Sequence, residues 1–233
     1  MEDNLNFKTF LFIDPKKIII SVISDTNRKI YQEELIFDQE IHDTIFGNLD
    51  LFLNKNIFKI EKKLNNFVKK IYTILDTDKF FPVEISLKKK NYENLFDLKG
   101  LNYLLYEAKD YCKKTIDDRK IIHMVINNYQ IDNKIYPFLP IDIDGNSFSV
   151  DITFICIANS FIKSLEDILK KYQISLGQVV SANYVTKFLI NDEKDIFLMT
   201  KKMINGHNPN EVMLVNKTIK NQGFFEKFFN FFR

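Results

Sequence analysis

The sequence has two cysteines and three histidines, residue types that act as nucleophiles or metal ligands: Cys112, Cys156, His42, His123 and His207. No histidine has a second histidine, a cysteine or a carboxylate at the spacing of a metal site. Both cysteines lie in apolar segments, which is typical of buried, reduced thiols. His123 lies in an apolar run that favours a hydrogen-bonded sheet residue. A nucleophilic pair of Cys112 with His123 stays open as an alternative, because a fold can bring distant residues together.

Acidic residues and glycines give no sign of a catalytic or phosphate-binding motif. Asp142 and Asp144 share a loop with Pro140 and Gly145, which favours a role in a turn. The six glycines are widely spaced, whereas a phosphate cradle uses clustered glycines to point backbone amides inward. The sequence therefore predicts no cofactor, no metal site and no ATPase activity.

The C-terminal residues 223–233 carry the strongest pattern in the sequence. Six phenylalanines fall within roughly 160° of a helical wheel, and the polar residues fill the opposite arc. The proposed membrane-binding residues are Phe224, Phe225, Lys227, Phe228, Phe229, Phe231, Phe232 and Arg233. An amphipathic helix of this kind binds a membrane surface, with the two cations near anionic headgroups.

Two other destinations for this segment stay open. It could pack on the core of its own chain, or it could fill the groove of a partner protein. The polar residues 217–222 that precede it favour a tethered segment.

The composition limits the function and the location of the protein. The 233 residues carry 33 basic and 31 acidic side chains, a balance that argues against nucleic-acid binding through a broad positive field. The N-terminus has no targeting pattern, and no segment approaches the ~20 apolar residues of a membrane span. We therefore expect a cytoplasmic protein, held at most to the surface of a membrane.

The elements that would position these residues alternate between strands and helices. The hydrophobic pattern predicts three opening strands, then a helix over residues 56–75 and a short strand after Pro82. Further on, it predicts helices over residues 97–114, 160–172 and 195–204. Strands are predicted at residues 121–126, 129–132 and 149–157, and a final strand begins at 179.

Residues 91–189 contain an ordered series of short motifs. They are Glu107-Ala108-Lys109, Arg119-Lys120-Ile121-Ile122-His123, Tyr129-Gln130-Ile131-Asp132, Pro140, Gly145, Val150-Asp151 and the segment 179–184. In order and spacing, they resemble the inserted subdomain of the bacterial cell-division protein FtsA and the related pilus protein PilM. The opening strands are similar to the start of the same actin-like fold.

The resemblance implies an α/β (α+β) fold: an incomplete actin-like, ribonuclease-H-like subdomain with an inserted strand-helix-strand subdomain. It places the partial actin-like subdomain at residues 1–90, the insertion at 91–176, the return at 177–206, a linker at 207–222 and the amphipathic helix at 223–233. The family's first hairpin carries Asp-x-Gly and contacts phosphate, whereas this chain has Asp14-Pro15-Lys16. The second lobe of the family is also missing.

The resemblance therefore implies a non-enzymatic scaffold or tether on the cytoplasmic face of the inner membrane. Its partners would be lipid, other copies of the chain and division-complex proteins. Direct binding of FtsZ is not expected, because the family uses the missing lobe for it. The alternative is a soluble, PilM-like interaction module whose Phe-rich tail docks on a partner or on its own core.

Overall fold

The computed structural model describes residues 6–42, 44–90, 98–140, 145, 147–189 and 194–213. Within these ranges the chain forms two β-sheets, each with its own hydrophobic core. The segment predicted to bind a membrane, residues 223–233, lies outside the described residues, as do Asp142 and Asp144.

The first sheet, sheet A, has five strands. They are β1 (Phe7–Asp14), β2 (Lys17–Ser24), β3 (Lys29–Ile36), β4 (Lys70–Leu75) and β9 (Ser175–Ser181). Their order is β3-β2-β1-β4-β9, with an antiparallel meander from β1 to β3 and parallel pairing of β1 with β4 and of β4 with β9. This is the arrangement of a ribonuclease-H-like sheet, and the predicted α/β fold class is confirmed.

Helices cover both faces of sheet A. They are α1 (Ile45–Leu64) and α3 (Asn159–Lys171) on one face, and α4 (Ala182–Thr186) and α5 (Ile196–Met203) on the other. Because both faces are covered, β1 and β2 are nearly continuous runs of apolar side chains rather than alternating ones. Burial of these runs supplies the main hydrophobic stabilisation of this part of the fold.

The second sheet, sheet B, is inserted between β4 and α3. Its strands are β5 (Phe81–Lys90), β6 (Arg119–Ile131), β7 (Lys134–Tyr136) and β8 (Ser147–Ala158). All pairs are antiparallel, in the order β5-β8-β6-β7. Helix α2 (Leu98–Thr115) packs one apolar face on this sheet, burying Leu101, Leu104, Ala108 and Cys112.

The sheets divide the chain at positions other than the expected ones. Strand β5 pairs with β8, so the unit built on sheet B starts at Phe81, ahead of the expected boundary at residue 91. Helix α3 packs in the core of sheet A, so this unit ends at Ala158, ahead of residue 176. Val83, Ile85 and Leu87 alternate with polar residues and pack on the core of sheet B, the pattern of a half-buried strand, and this explains the earlier start.

The helix predicted over residues 56–75 is wrong in its second half. Helix α1 runs from Ile45 and ends at Leu64, where Asn65 adopts a left-handed conformation, and residues 70–75 form β4 instead. The run Ile71-Tyr72-Thr73-Ile74 is rich in β-branched and aromatic residues, which pair well inside a sheet. Apolar residues continue at helical spacing past the turn at Asn65, which explains the wrong prediction.

Other predicted elements are present with small changes. The helices at 97–114, 160–172 and 195–204 are confirmed as α2, α3 and α5. The two strands expected at 121–126 and 129–132 form one long strand, β6, with register shifts at Ile121/His123 and at Ile126/Asn128. Such bulges allow one strand to bend while its pairing continues.

A buried lysine joins α5 to the far end of sheet A. The ammonium group of Lys201 donates to the carbonyl oxygens of Ser24 and Asp25 at 2.8 and 2.9 Å, and to Oδ1 of Asn27 at 2.8 Å. These three acceptors compensate for the burial of the charge, because charged hydrogen bonds are among the stronger ones in proteins. The turn between β2 and β3 is thereby fixed to α5.

Strand β9 needs a glycine at position 177. A Cβ atom there would lie 3.0 Å from the carbonyl oxygen of Ile71 and 3.0 Å from the ring of Tyr72. We expect Gly177→Ala to destabilise the fold by about 1–3 kcal/mol, because backbone atoms cannot move aside. Urea unfolding followed by circular dichroism measures the effect.

Gly47 in α1 gives the matched control. A Cβ atom at Gly47 meets nothing within 4 Å. Gly47→Ala should therefore stabilise the protein by about 0.5–1 kcal/mol, the usual gain in a helix. Equal unfolding midpoints for the two variants would contradict the close approach of β9 to β4.

Candidate functional site

Two carboxylates meet at the carboxyl ends of β1 and β4. Asp14 ends β1 and Asp76 follows β4, and these parallel strands pair Ile13 with Leu75. The N–H group of Asp76 donates to the carbonyl oxygen of Ile13 at 2.8 Å. The carboxyl ends of parallel strands are the usual ligand-binding edge of an α/β sheet.

A shallow cleft opens beside these carboxylates. It has room for about 20 Å³, roughly one water molecule, and is also lined by His42, Lys79 and Phe161. Burial and the neighbouring Asp14 raise the pKa of Asp76, and Lys17 lowers it by a smaller amount. Among the described residues, no group of three metal-ligating side chains occurs here or elsewhere.

The turn between β1 and β2 uses its backbone groups internally. Pro15 has no N–H group, and the N–H group of Lys16 donates to Oδ1 of Asp14 at 2.7 Å. The carbonyl oxygens of Pro15 and Lys16 accept from Ile41 and Phe37, both at 2.8 Å. Neither Pro15 nor Lys16 therefore has a free backbone donor in this turn.

A second polar cluster, the polar junction, lies between the two sheets. It consists of His123, Ser181, Tyr184, Asn208 and Glu211. Nδ1 of His123 lies 2.7 Å from Oε1 of Glu211, and the N–H group of Ser181 donates to Nε2 of His123 at 3.0 Å. Since Nε2 accepts a hydrogen bond, the imidazole is neutral and its proton on Nδ1 is donated to Glu211. The His123 side chain is 1% exposed, so neither ring nitrogen faces solvent.

Tyr184 and Asn208 complete the polar junction. The Tyr184 hydroxyl donates to Oε2 of Glu211 at 3.0 Å and accepts from the side-chain amide of Asn208 at 2.7 Å. Burial raises the pKa of Tyr184, so the phenol stays protonated and acts as a donor. The rings of Tyr184 and His123 lie 4.4 Å apart, centroid to centroid. Each polar group in the cluster thus has a partner.

The polar junction also holds the last described residues against sheet B. Glu211 forms a β-bridge with Val125. The N–H group of Ile126 donates to the carbonyl of Asn210, and that of Val212 donates to the carbonyl of Met124, both at 2.9 Å. Residues 210–212 therefore extend sheet B along the free edge of β6, next to β7.

The structure does not bring Cys112 to His123. Cys112 and Cys156 are both buried and their thiols contact each other, between α2 and β8. Burial, together with the neighbouring Cys112, raises the pKa of Cys156 to about 12. A thiol with this pKa is protonated at neutral pH, and a thiol is a poor nucleophile. His123 is a hydrogen-bonded sheet residue, as expected.

Sequence reasoning missed Asp76, Tyr184, Asn208 and Glu211. Asp76 directly follows a β-branched run, a signal that the helix prediction over the same residues obscured. Glu211 is 88 positions from His123, and no local pattern links the two. The predicted residues Phe224, Phe225, Lys227, Phe228, Phe229, Phe231, Phe232 and Arg233 lie outside the described residues.

No helix within the described ranges is both long enough and apolar enough to cross a membrane.

Helix α2 exposes a row of aromatic side chains on its outer face. Tyr103, Tyr106 and Tyr111 are more than half exposed, and the ammonium group of Lys89 lies over the Tyr103 ring at 6.0 Å. Exposed tyrosines of this kind are enriched in protein interfaces.

No protein-family model matches the chain, and no curated protein matches it in sequence. Several solved structures are similar in fold. The cytoplasmic domain of EpsL, an inner membrane component of the type II secretion system of Vibrio cholerae, is 11% identical over 77% of this chain and 57% of that chain, with a TM-score of 0.37. The PilM-PilN type IV pilus biogenesis complex is 11% identical over 76% of this chain and 48% of that chain, with a TM-score of 0.44.

A Bacteroides thetaiotaomicron protein with an actin-like ATPase fold and unknown function is 13% identical over 81% of this chain and 58% of that chain, with a TM-score of 0.32. This chain thus spans between 48% and 58% of the length of these three chains. The similarity concerns the class of fold alone. Membership of the FtsA branch stays a prediction.

The polar junction can be tested by removing one acceptor. The side-chain amide introduced by Glu211→Gln has one oxygen acceptor, whereas the ring N–H of His123 and the hydroxyl of Tyr184 both need one. Moving the His123 proton to Nε2 gives no relief, because that N–H would then face the N–H group of Ser181. We expect a loss of about 1–3 kcal/mol in the free energy of unfolding. A double-mutant cycle with Tyr184→Phe should give a coupling of about 0.5–3 kcal/mol.

Glu166→Gln is the matched control, because Glu166 pairs with Lys120 at 3.6 Å while half exposed. This variant should change stability by less than about 0.5 kcal/mol. Equal losses for Glu166→Gln and Glu211→Gln would count against the polar junction.

The carboxylate pair makes stability depend on pH. Because folding raises the pKa of Asp76, the folded protein loses stability as pH rises from the ordinary Asp value, about 3.9, through the raised value. Asp76→Asn removes this loss, so the variant should unfold at higher temperature than the parent at pH 7. The gain should vanish at pH values below the ordinary pKa. Asp78→Asn, two residues away and likewise exposed, should leave the melting temperature unchanged. A less stable Asp76→Asn at pH 7 would contradict the raised pKa of Asp76.

Proposed function

We propose that the chain is a non-enzymatic, FtsA-like scaffold that tethers division-complex proteins to the cytoplasmic face of the inner membrane. The observation that carries the proposal is the sequence of residues 223–233, which segregates six phenylalanines from the polar residues on a helix. It follows the described body, which ends at residue 213, after a short polar linker.

The size of the apolar face is compatible with reversible membrane binding. A fully buried apolar side chain contributes ~1.5–3 kcal/mol, so six partly inserted rings give gross binding on the order of 5–10 kcal/mol. Ordering of the segment offsets part of this gain. Lys227 and Arg233 add attraction to anionic lipid.

The closed turn between β1 and β2 supports the non-enzymatic part of the proposal. Pro15 and the Asp14–Lys16 hydrogen bond occupy the position where the family's first hairpin contacts phosphate. The polar junction likewise keeps His123 within the protein, with both ring nitrogens bonded. A scaffold needs neither group to be available for chemistry.

The second candidate is a soluble, PilM-like interaction module. The exposed row of Tyr103, Tyr106 and Tyr111 on α2 favours it, because such a row suits a protein partner. PilM was solved in complex with PilN, a protein partner. In this second candidate the Phe-rich tail docks on a partner or on the chain's own core, and α2 provides a further contact.

Vesicle co-sedimentation separates the two candidates. We expect the full chain to co-sediment with vesicles of phosphatidylglycerol and phosphatidylcholine in equal parts, and residues 1–222 to stay in the supernatant. Because the attraction is partly electrostatic, added salt should weaken binding without abolishing it. A full-length variant with Phe228→Ser and Phe229→Ser is the matched control and should bind like the truncated chain.

Equal sedimentation of the full and truncated chains would refute the tether. A tail that resists proteolysis in solution, together with no binding to vesicles, would support the soluble module instead.

A further inference from the structure

Three exposed apolar side chains follow the outer edge of β6, and we call them the rim: Ile135, Phe138 and Met213. Their exposed fractions are 67%, 59% and 43%. Ile135 lies opposite Gln130 in the pairing of β7 with β6. The side chain of Asn210 donates to the carbonyl of Pro137 at 2.7 Å, which joins the segment before Met213 to the segment before Phe138.

The neighbours of the rim face inward. Tyr136, Leu139 and Val212 pack against the core of sheet B, so the residues of the rim next to them are the ones left in water. Glu211, the acidic residue beside the rim, is turned toward His123 and Tyr184. The exposed Lys134 adjoins Ile135. The rim therefore combines apolar side chains with a cation.

The chain leaves the described body at the rim. Residues 214–222 connect Met213 to the Phe-rich segment, and nine residues span at most about 30 Å when fully extended. A body tethered through residues 223–233 thus keeps Met213, one of the three residues of the rim, within that distance of the surface to which the tail binds. Met213 is also the described residue that is nearest to the tail along the chain.

We propose that the rim is a second membrane contact, which rests against the lipid interface when the Phe-rich tail is inserted. Ile135, Phe138 and Met213 enter the boundary between headgroups and acyl chains, and Lys134 faces anionic headgroups. This inference rests on the proposed tether. It adds an orientation, with the outer edge of sheet B toward the bilayer and sheet A away from it.

Site-specific labelling of the full chain tests the orientation. The native cysteines are fully buried, so an environment-sensitive dye attached to Phe138→Cys reports on the rim alone. Phe58, 72% exposed on α1 in the other unit, gives the matched control as Phe58→Cys. With vesicles of phosphatidylglycerol and phosphatidylcholine, we expect a blue shift and protection from an aqueous quencher at position 138 and neither effect at position 58.

A paired substitution measures the contribution of the rim to binding. Phe138→Ser combined with Met213→Ser should weaken vesicle binding about tenfold, the effect of partly burying two apolar side chains. Phe58→Ser should leave binding unchanged. Urea unfolding confirms that the variants keep the fold, since all three side chains are exposed.

Four results would overturn the second contact. The full chain could bind vesicles through its tail while the dye at position 138 stays in water, in which case the tether stands and the rim fails. The paired rim variant could bind vesicles as tightly as the parent, which would also leave the tether standing and refute the rim contact. The dye at position 138 could be protected without vesicles, which would mean that protein covers the rim. Failure of the full chain to bind vesicles would remove the tether and the rim together.

Discussion

Hydrogen bonds of one neutral imidazole link the two sheets of this protein, in addition to apolar contacts such as the packing of Ile157 of β8 in the core of sheet A. His123 bonds to the end of β9 through one ring nitrogen and to Glu211 through the other. Burying a carboxylate is costly unless its oxygens accept hydrogen bonds. Here both oxygens of Glu211 do so, one from His123 and one from Tyr184. The path of residues 208–213 depends on this arrangement.

The position of the insertion explains how a small α/β unit can carry additional surface. Parallel neighbours such as β4 and β9 need a crossover connection, usually a single helix. Here α3 still supplies that helix, while all of sheet B and α2 precede it along the chain. The added unit therefore leaves the pairing of sheet A intact and presents α2, β7 and the rim as surfaces of its own. Binding surfaces can change in such a unit without disturbing the central strands.

The sequence predicts the elements well where hydrophobic period and residue type agree. The apolar strands β1 and β2 and the amphipathic helices α2 and α3 were predictable for this reason. The helix over residues 56–75 failed because a helical period continued through Asn65 into a β-branched run. His123 was predictable as a sheet residue, but its partners were not, since Ser181 and Glu211 come from distant segments that only the tertiary fold brings together. The closed turn at Pro15 was visible in the sequence, whereas the bonding of its carbonyls to residues 37 and 41 was not.

The long separation between His123 and Glu211 has a consequence for assembly during synthesis. Strands β5 to β8 and helix α2 are contiguous in sequence, so sheet B can form from local contacts before β9 has been made. Pairing of β9 with β4 then completes sheet A. Residues 208–211 come later still, so Glu211 can reach His123 and Tyr184 only after the strands of both sheets have been made. The order of translation thus separates the folding of each unit from the completion of the polar junction.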